Sequence, residues 1–186
     1  MIAACIAAVL VIAAALWVIS VYNGLVRGLN KVREAWSGIS VQLKRRHDLV
    51  PSLVNTVKGY AAHESQTLEQ VTAARSRAVS AEGGDIKGVT AAENDLVTAL
   101  RSLLAVAERY PDLKANANFL DLQSNLSSLE NDIQMARRYY NGSVREQNNR
   151  IGQFPANLIA GHFGFGEQPF FELENEEESL PPSVEF

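Results

Sequence analysis

The feature that most constrains this chain is its beginning. Met1 to Val26 carry no charged side chain, and the first charge is Arg27. Within that stretch Ile2 to Val21 is a run of Ala, Val, Ile and Leu broken by one Cys, one Trp and one Ser. Twenty helical residues rise about 30 Å, the thickness of a bilayer's hydrocarbon core. In lipid the backbone must satisfy its own hydrogen bonds, so such a run is helical. Trp17 and Tyr22 stand near its C-terminal end, where amphipathic rings favour the membrane interface. A secretory signal peptide needs a basic region ahead of its apolar core, and none precedes this one. Ala13-Ala14-Ala15 could pass for a cleavage site, but small residues fill the whole run. Ile2-Ala3-Ala4-Cys5 resembles a lipoprotein box that comes too early to follow a signal core. The expectation is an uncleaved anchor over residues 1–22. Arg27, Lys31 and Arg33 follow it against Glu34 alone, and basic flanks stay in the cytoplasm. The N-terminus is therefore expected outside and the body inside.

The body reads as all-α. Before Pro155 the chain has two prolines, Pro51 and Pro111, and the long stretches between them suit helices. Apolar residues recur at alternating steps of four and three in Leu25, Leu29, Val32, Trp36, Ile39 and Leu43. The same spacing runs through Leu96, Leu100, Leu103, Ala107 and Tyr110, and through Phe119, Leu122, Leu126, Leu129, Ile133, Ala136 and Tyr140. That is the stripe of helices packing at shallow angles. Asp48 reads as the cap of a second helix holding Pro51 in its first turn and using Val50, Leu53, Val57, Tyr60, Leu68 and Val71, with a bend near Gly59. Gly83-Gly84-Asp85 and Gly88 read as the connection to a third helix. Tyr110-Pro111-Asp112 turns the chain into a last helix from about Lys114 to Ile151, stopped by Gly152 and Pro155. The expected architecture is a transmembrane helix followed by an elongated antiparallel bundle of about four long helices over residues 23–152.

Six of the seven Phe lie at or after Phe154. Residues 153–174 are expected to form an aromatic arm that either packs on the bundle or docks another protein. Residues 175–186 are acidic, carry Pro181-Pro182, and are expected to be a disordered tail. The formal net charge is −4, but the chain from Glu167 onward holds seven acids and no base, leaving +3 for Met1 to Gly166. A balance this mixed argues against nucleic-acid binding. One cysteine, Cys5, excludes an intramolecular disulfide.

The chemistry-bearing residues are sparse. His63-Glu64 begins like a zinc-protease motif, but Thr67 stands where the second histidine is needed. A di-iron bundle needs Glu three residues before His, and the residues there are Lys44, Tyr60 and Ile159. No phosphate-binding loop or nucleophile elbow occurs. Gly161-His162-Phe163-Gly164-Phe165-Gly166 reads as a flexible aromatic loop. No catalysis, cofactor, metal or small-molecule substrate is expected. Lys44-Arg45-Arg46-His47 is the one dense basic cluster. On an unbroken helix Arg46 stands about 37 Å beyond Val21. Against a Debye length of about 8 Å, head groups of the same membrane cannot feel it. Arg27 and Lys31 are the lipid-facing bases instead. Arg46 falls seven residues after Ile39, at a seam position, where it needs a carboxylate. Asp48 and Glu130 are the possible partners. Structural pairing and ligand binding both remain open for the cluster.

Several strings together resemble the LemA family of bacterial membrane proteins. They are Tyr22-Asn23, Ala35-Trp36, Val41-Gln42-Leu43-Lys44-Arg45-Arg46, Asp48-Leu49-Val50-Pro51-Ser52-Leu53-Val54, Val57-Lys58-Gly59-Tyr60 and His63-Glu64. Further along come Tyr110-Pro111-Asp112-Leu113-Lys114-Ala115-Asn116, Asn118-Phe119, Leu122-Gln123, Ala136-Arg137-Arg138, Tyr140-Asn141, Phe154-Pro155 and Asn157-Leu158-Ile159-Ala160. Ser40 departs from the family, which usually has Asp there, and Gln147 replaces a common aromatic or aliphatic residue. The first departure is expected to weaken an ion-pair network at the basic cluster. The resemblance implies an anchor and an antiparallel helical domain, and no reaction. One branch of the family is associated with magnetosome membranes, and its genes often neighbour a membrane metalloprotease or envelope-stress functions.

Two functions follow. One is a self-associating scaffold that organises or shapes the bacterial inner membrane, a homo-oligomer on the lipid bilayer. The other is an adaptor for a membrane protease or envelope-stress protein. For partner contact the candidate residues are Lys44, Arg45, Phe163, Phe165, Phe170 and Phe171. For the membrane interface they are Trp17, Tyr22, Arg27 and Lys31. A second apolar helix face favours the scaffold, and an arm detached from the bundle favours the adaptor.

Overall fold

A computed structural model describes residues 1–172, and among these the chain is helical with no strand. The elements are α1 (Ile2–Tyr60), α2 (Ser65–Ala81), α3 (Ile86–Ala107), α4 (Pro111–Lys114), α5 (Ala117–Gly152) and α6 (Ala156–Phe163). The all-α expectation holds, with a long apolar N-terminal helix followed by further helices. The acidic tail expected from residue 175 lies outside the described residues.

The break expected at Asp48 is absent. Asp48 is an exposed interior residue of α1, and Pro51 lies within the helix rather than in a first turn. A proline there has no N–H to give the carbonyl four residues back, which is that of His47. Arg75 of α2 supplies the missing donor, its Nε reaching the His47 carbonyl oxygen at 2.7 Å. A tertiary bond thus replaces the local one, and α1 continues to Tyr60. The chain leaves the helix one residue beyond Gly59, where a bend is expected. Tyr60 itself is 44% exposed rather than in the core, its hydroxyl accepting from Asn116 Nδ2 at 2.9 Å.

Other boundaries follow local chemistry. Gly83 takes a left-handed φ of 79° after α2, a conformation that glycine adopts without strain. The last long helix starts later than Lys114. Pro111 opens the short α4, and Asn116 then caps α5, its Oδ1 accepting the Phe119 N–H at 3.0 Å.

The described chain divides into two compact units. The first comprises Met1–Ile39 with Ala136–Phe170, and the second Ser40–Met135 together with Phe171. In the second unit the expected stripes make the core. Val50, Leu53 and Val57 of α1 pack with Val71 of α2, Leu96, Leu100 and Leu103 of α3, and Phe119 and Leu126 of α5. In the first unit Leu25 of α1 packs with Ile159 and Ala160 of α6, backed by Val18, Val21, Ile151 and Phe165. The Trp36 and Tyr140 rings lie 5.4 Å apart in the same unit. Burial pushes the Tyr140 phenol to a pKa of about 12, and its hydroxyl donates to the Pro169 carbonyl at 2.8 Å.

Candidate functional site

The second unit holds a cluster of buried charges built around the basic segment. Arg46 is fully buried and His47 is 1% exposed, while Lys44 and Arg45 are exposed. Helical spacing explains the split: Arg46 continues the seam of Ile39 and Leu43, and its two predecessors point off that seam. Arg46 Nη1 donates to both oxygens of Glu130 on α5, at 2.8 and 3.1 Å. Nη2 donates to Glu93 Oε2 on α3. His47 Nε2 lies 2.7 Å from Glu93 Oε1, and its Nδ1 lies 2.8 Å from Glu82 Oε1. Glu93 therefore uses one oxygen for each base. It is itself 1% exposed. Of the partners expected for Arg46, Glu130 is found and Asp48 is not.

The electrostatics favour ionisation of Arg46, His47 and Glu93. Burial opposes the charge on His47, but hydrogen bonding and charge from Glu93, then from Glu82, outweigh it and hold the imidazole above its usual 6.5. Burial likewise opposes ionised Glu93, yet the His47 hydrogen bond and the Arg46 charge bring its carboxyl below 4.5. For Arg46, burial is outweighed by Glu130 and Glu93. Both ring nitrogens face carboxylates, the arrangement that suits a two-donor imidazolium. The weakening expected from Ser40 does not follow, because Glu82, Glu93 and Glu130 close the network without a carboxylate at that position. Arg46 spends both terminal nitrogens on glutamates, and only its buried Nε lacks a partner. Its guanidinium is a structural clasp rather than a ligand-binding face.

In the first unit the aromatic arm is folded. The glycine-rich segment expected to be a flexible loop forms the last turn of α6 and its cap. Gly164 takes a φ of 74°, and the Phe165 N–H reaches back to the Ala160 carbonyl at 2.9 Å, the geometry of a Schellman stop. Tyr22 stacks edge-on with Phe163 at 4.9 Å and with Phe165 at 5.6 Å. Asn148 on α5 holds the chain further on, donating to the Gln168 carbonyl and accepting its N–H. Of the partner-contact candidates, Phe163 is 51% exposed, Phe170 is 39% exposed and Phe165 is half-buried. Phe171 is fully buried, so it offers no docking surface. Among the interface candidates Trp17, Tyr22 and Arg27 are exposed. Lys31 is exposed too, but it is engaged by Glu146 at 2.8 Å instead of standing free for lipid, and that hydrogen bond and charge raise its pKa.

Sequence reasoning missed Glu93, Glu82 and Arg75. A signal for Glu93 was present. It stands between Val89 and Leu96 at the four-and-three spacing of α3, a lone acid on an apolar stripe, as Arg46 is a lone base on that of α1. Glu82 and Arg75 carry no such mark.

Comparison with known proteins extends this description. Protein LemA of Metamycoplasma hominis is 29% identical over 74% of this chain. Magnetosome protein MamQ 2 of Paramagnetospirillum magneticum is 25% identical over 81% of it, and magnetosome protein MamQ of Magnetospirillum gryphiswaldense is 23% identical over 81%. The chain spans 63% of the length of the first relative and 64% of the other two. None of these names describes an enzyme. Together with the apolar N-terminal helix, they point to a membrane-associated protein. The LemA family model matches residues 35–186, so the Tyr22-Asn23 string and the apolar run precede the match. With that match covering most of its length, the chain belongs to the LemA family.

Proposed function

We propose that this protein is a non-enzymatic, single-pass inner-membrane scaffold of a bacterium, with its N-terminus outside and its folded part in the cytoplasm. It self-associates to organise or shape the membrane. The observation that carries this reading is α1. One uninterrupted helix holds both the exposed apolar residues of the N-terminal run and the buried seam residues Leu43, Val50 and Leu53. Anchor and body are thus one element of secondary structure with no linker between them. The buried charged side chains Arg46, His47 and Glu93 are spent on one another. The likeness to proteins named for the magnetosome supports work at a membrane.

An adaptor role through a detached aromatic arm is the weaker reading, because Ile159, Ala160 and Phe165 pack within the first unit. Lys44 and Arg45 remain available to an acidic surface, including that of a second copy. The test is native mass measurement of the full chain in lipid nanodiscs across a range of loading. Multiples of the protomer mass are expected. A strictly monomeric mass at every loading refutes self-association. A reporter fused after Phe186 and active only in the cytoplasm checks the orientation. Replacing Arg27, Lys31 and Arg33 by Gln is expected to randomise it.

A further inference from the structure

Residues 151–166 are the longest stretch after the N-terminal run without Asp, Glu, Lys or Arg. The whole of α6 lies within it. A helix that turns one face to water normally covers that face with charged and polar side chains, and α6 has only Asn157 and His162 for that. Its inner face, Ile159 and Ala160, is buried. Its exposed residues are Asn157, Leu158, Gly161, His162 and Phe163, and among them Leu158 is 65% exposed and Phe163 51% exposed, while Phe154 just ahead of the helix is 80% exposed.

The position of α6 gives that outer face a neighbour. Ile159 and Ala160 pack against Val18, Val21 and Leu25, the last turns of the apolar run on α1. Ile6, Val9, Leu10 and Leu16 in the same run are themselves exposed. The uncovered surface of α6 therefore lies beside the uncovered surface of the anchor, at the end where Trp17 and Tyr22 mark the interface. Amphipathic helices that set a Phe- and Leu-bearing surface against a polar one lie in the boundary between head groups and acyl chains.

We propose that α6 is a second, monotopic contact with the bilayer that α1 crosses, with Phe154, Leu158 and Phe163 immersed in its interfacial layer. This rests on the reading of α1 as a membrane anchor. Lipid is a better occupant than the chain's own C-terminal segment, because residues 172–185 include six glutamates that need water. The contact also makes sense of Tyr22, which bridges anchor and arm through Phe163 and Phe165.

The test uses depth-dependent quenching of tryptophan fluorescence in the full chain, reconstituted in phosphatidylcholine–phosphatidylglycerol vesicles. Trp17 and Trp36 are the native tryptophans. A Trp36→Phe variant reports on Trp17 alone and serves as the anchor control. A Trp17→Phe, Trp36→Phe, Leu158→Trp variant reports on α6. Phe154→Trp replaces Leu158→Trp in that background if the latter loses the parent's helical signal. Lipids brominated just below the glycerol are expected to quench the α6 probe at least as strongly as Trp17, and lipids brominated at the chain ends less so. If Trp17 is quenched while the α6 probe stays bright with water-exposed emission, α6 is not in the membrane and the anchor reading stands. If the probe emits as a buried group yet escapes bromine, its cover is protein, and the inference is equally overturned. If Trp17 itself escapes quenching, the anchor reading falls and takes this inference with it.

Discussion

Pro51 sits inside a helix that it should break, and the structure gives a specific reason why it does not. The His47 carbonyl, deprived of its intrahelical donor, accepts from Arg75 Nε at 2.7 Å. Arg75→Ala removes that donor and leaves a half-buried carbonyl unsatisfied, a loss of about 1–3 kcal/mol. Pro51→Ala restores the N–H that residue 51 lacks. It relieves an interior-proline penalty of about 3 kcal/mol, less about 0.4–1 kcal/mol for the greater freedom of the unfolded chain and less whatever Arg75 already recovers. A net gain of about 1 kcal/mol is expected. The decisive quantity is the coupling. With Ala at position 51 the carbonyl has its own amide, so removing Arg75 should cost at least about 1 kcal/mol less than it does beside proline. The assay is urea unfolding of the full chain in mild detergent, followed by helical circular dichroism, for the parent, both single variants and the double variant. Equal losses on removing Arg75 in the two backgrounds would refute the reasoning. Arg75 would then act through packing or charge and not through the orphaned carbonyl.

The buried cluster gives stability a pH window. The raised pKa of His47 supplies stabilisation that is complete below its ordinary 6.5 and fades as pH rises through the folded value. The lowered pKa of Glu93 supplies stabilisation that is complete above 4.5 and fades as pH falls through the folded value. The urea midpoint should therefore be higher at about pH 6 than at about pH 9, and His47→Gln should flatten that difference; an unchanged slope in the variant removes His47 from the account. Arg46→Ala leaves Glu93 Oε2 unpaired in the interior, with His47 alone on the other oxygen, and should cost about 3–5 kcal/mol. Arg46→Met combined with His47→Leu and Glu93→Leu should recover most of that loss, since Glu82 and Glu130, 47% and 40% exposed, can turn to water; a triple variant as unstable as the single one contradicts this. Gln147 is 1% exposed, donates to the Leu25 carbonyl at 3.2 Å and leaves its own Oε1 without a partner. Gln147→Met should therefore stabilise by about 1 kcal/mol on thermal or urea unfolding, and a loss of stability means that the amide hydrogen bond outweighs the orphaned oxygen.

What was legible in the sequence is what repeats locally. Leu25, Val32, Ile39 and Leu43 are buried because a four-and-three spacing keeps them on one face of a helix, whatever surrounds it. The same arithmetic placed Arg46 at a seam and required a carboxylate for it, and Glu130 is there. What was illegible depends on distant partners. Nothing near Pro51 indicates that an arginine 24 positions later would replace its missing N–H. His47 meets Glu82 and Glu93, 35 and 46 positions on, and no periodicity links them. The glycine-rich segment of the arm was misread for another reason. Its glycines suggest a loop, whereas one of them, Gly164, is the left-handed residue that ends a helix.

The placing of Arg46 and Glu93 bears on how the helices choose one another. Burying such a pair adds little net stability, because desolvation offsets most of the attraction. An all-leucine seam would hold as well and would also tolerate a slip of one turn. A slip of α3 along α1 would leave Glu93 facing apolar side chains and Arg46 without one of its two carboxylates, a penalty of about 3–5 kcal/mol that no leucine would incur. Glu130 fixes α5 against the same guanidinium, and Arg75 fixes α2 to the carbonyl of the next residue. Three helices, α2, α3 and α5, are thus indexed to a single turn of α1, residues 46 and 47. The apolar stripes alone, spaced alike on each helix, could not specify that register.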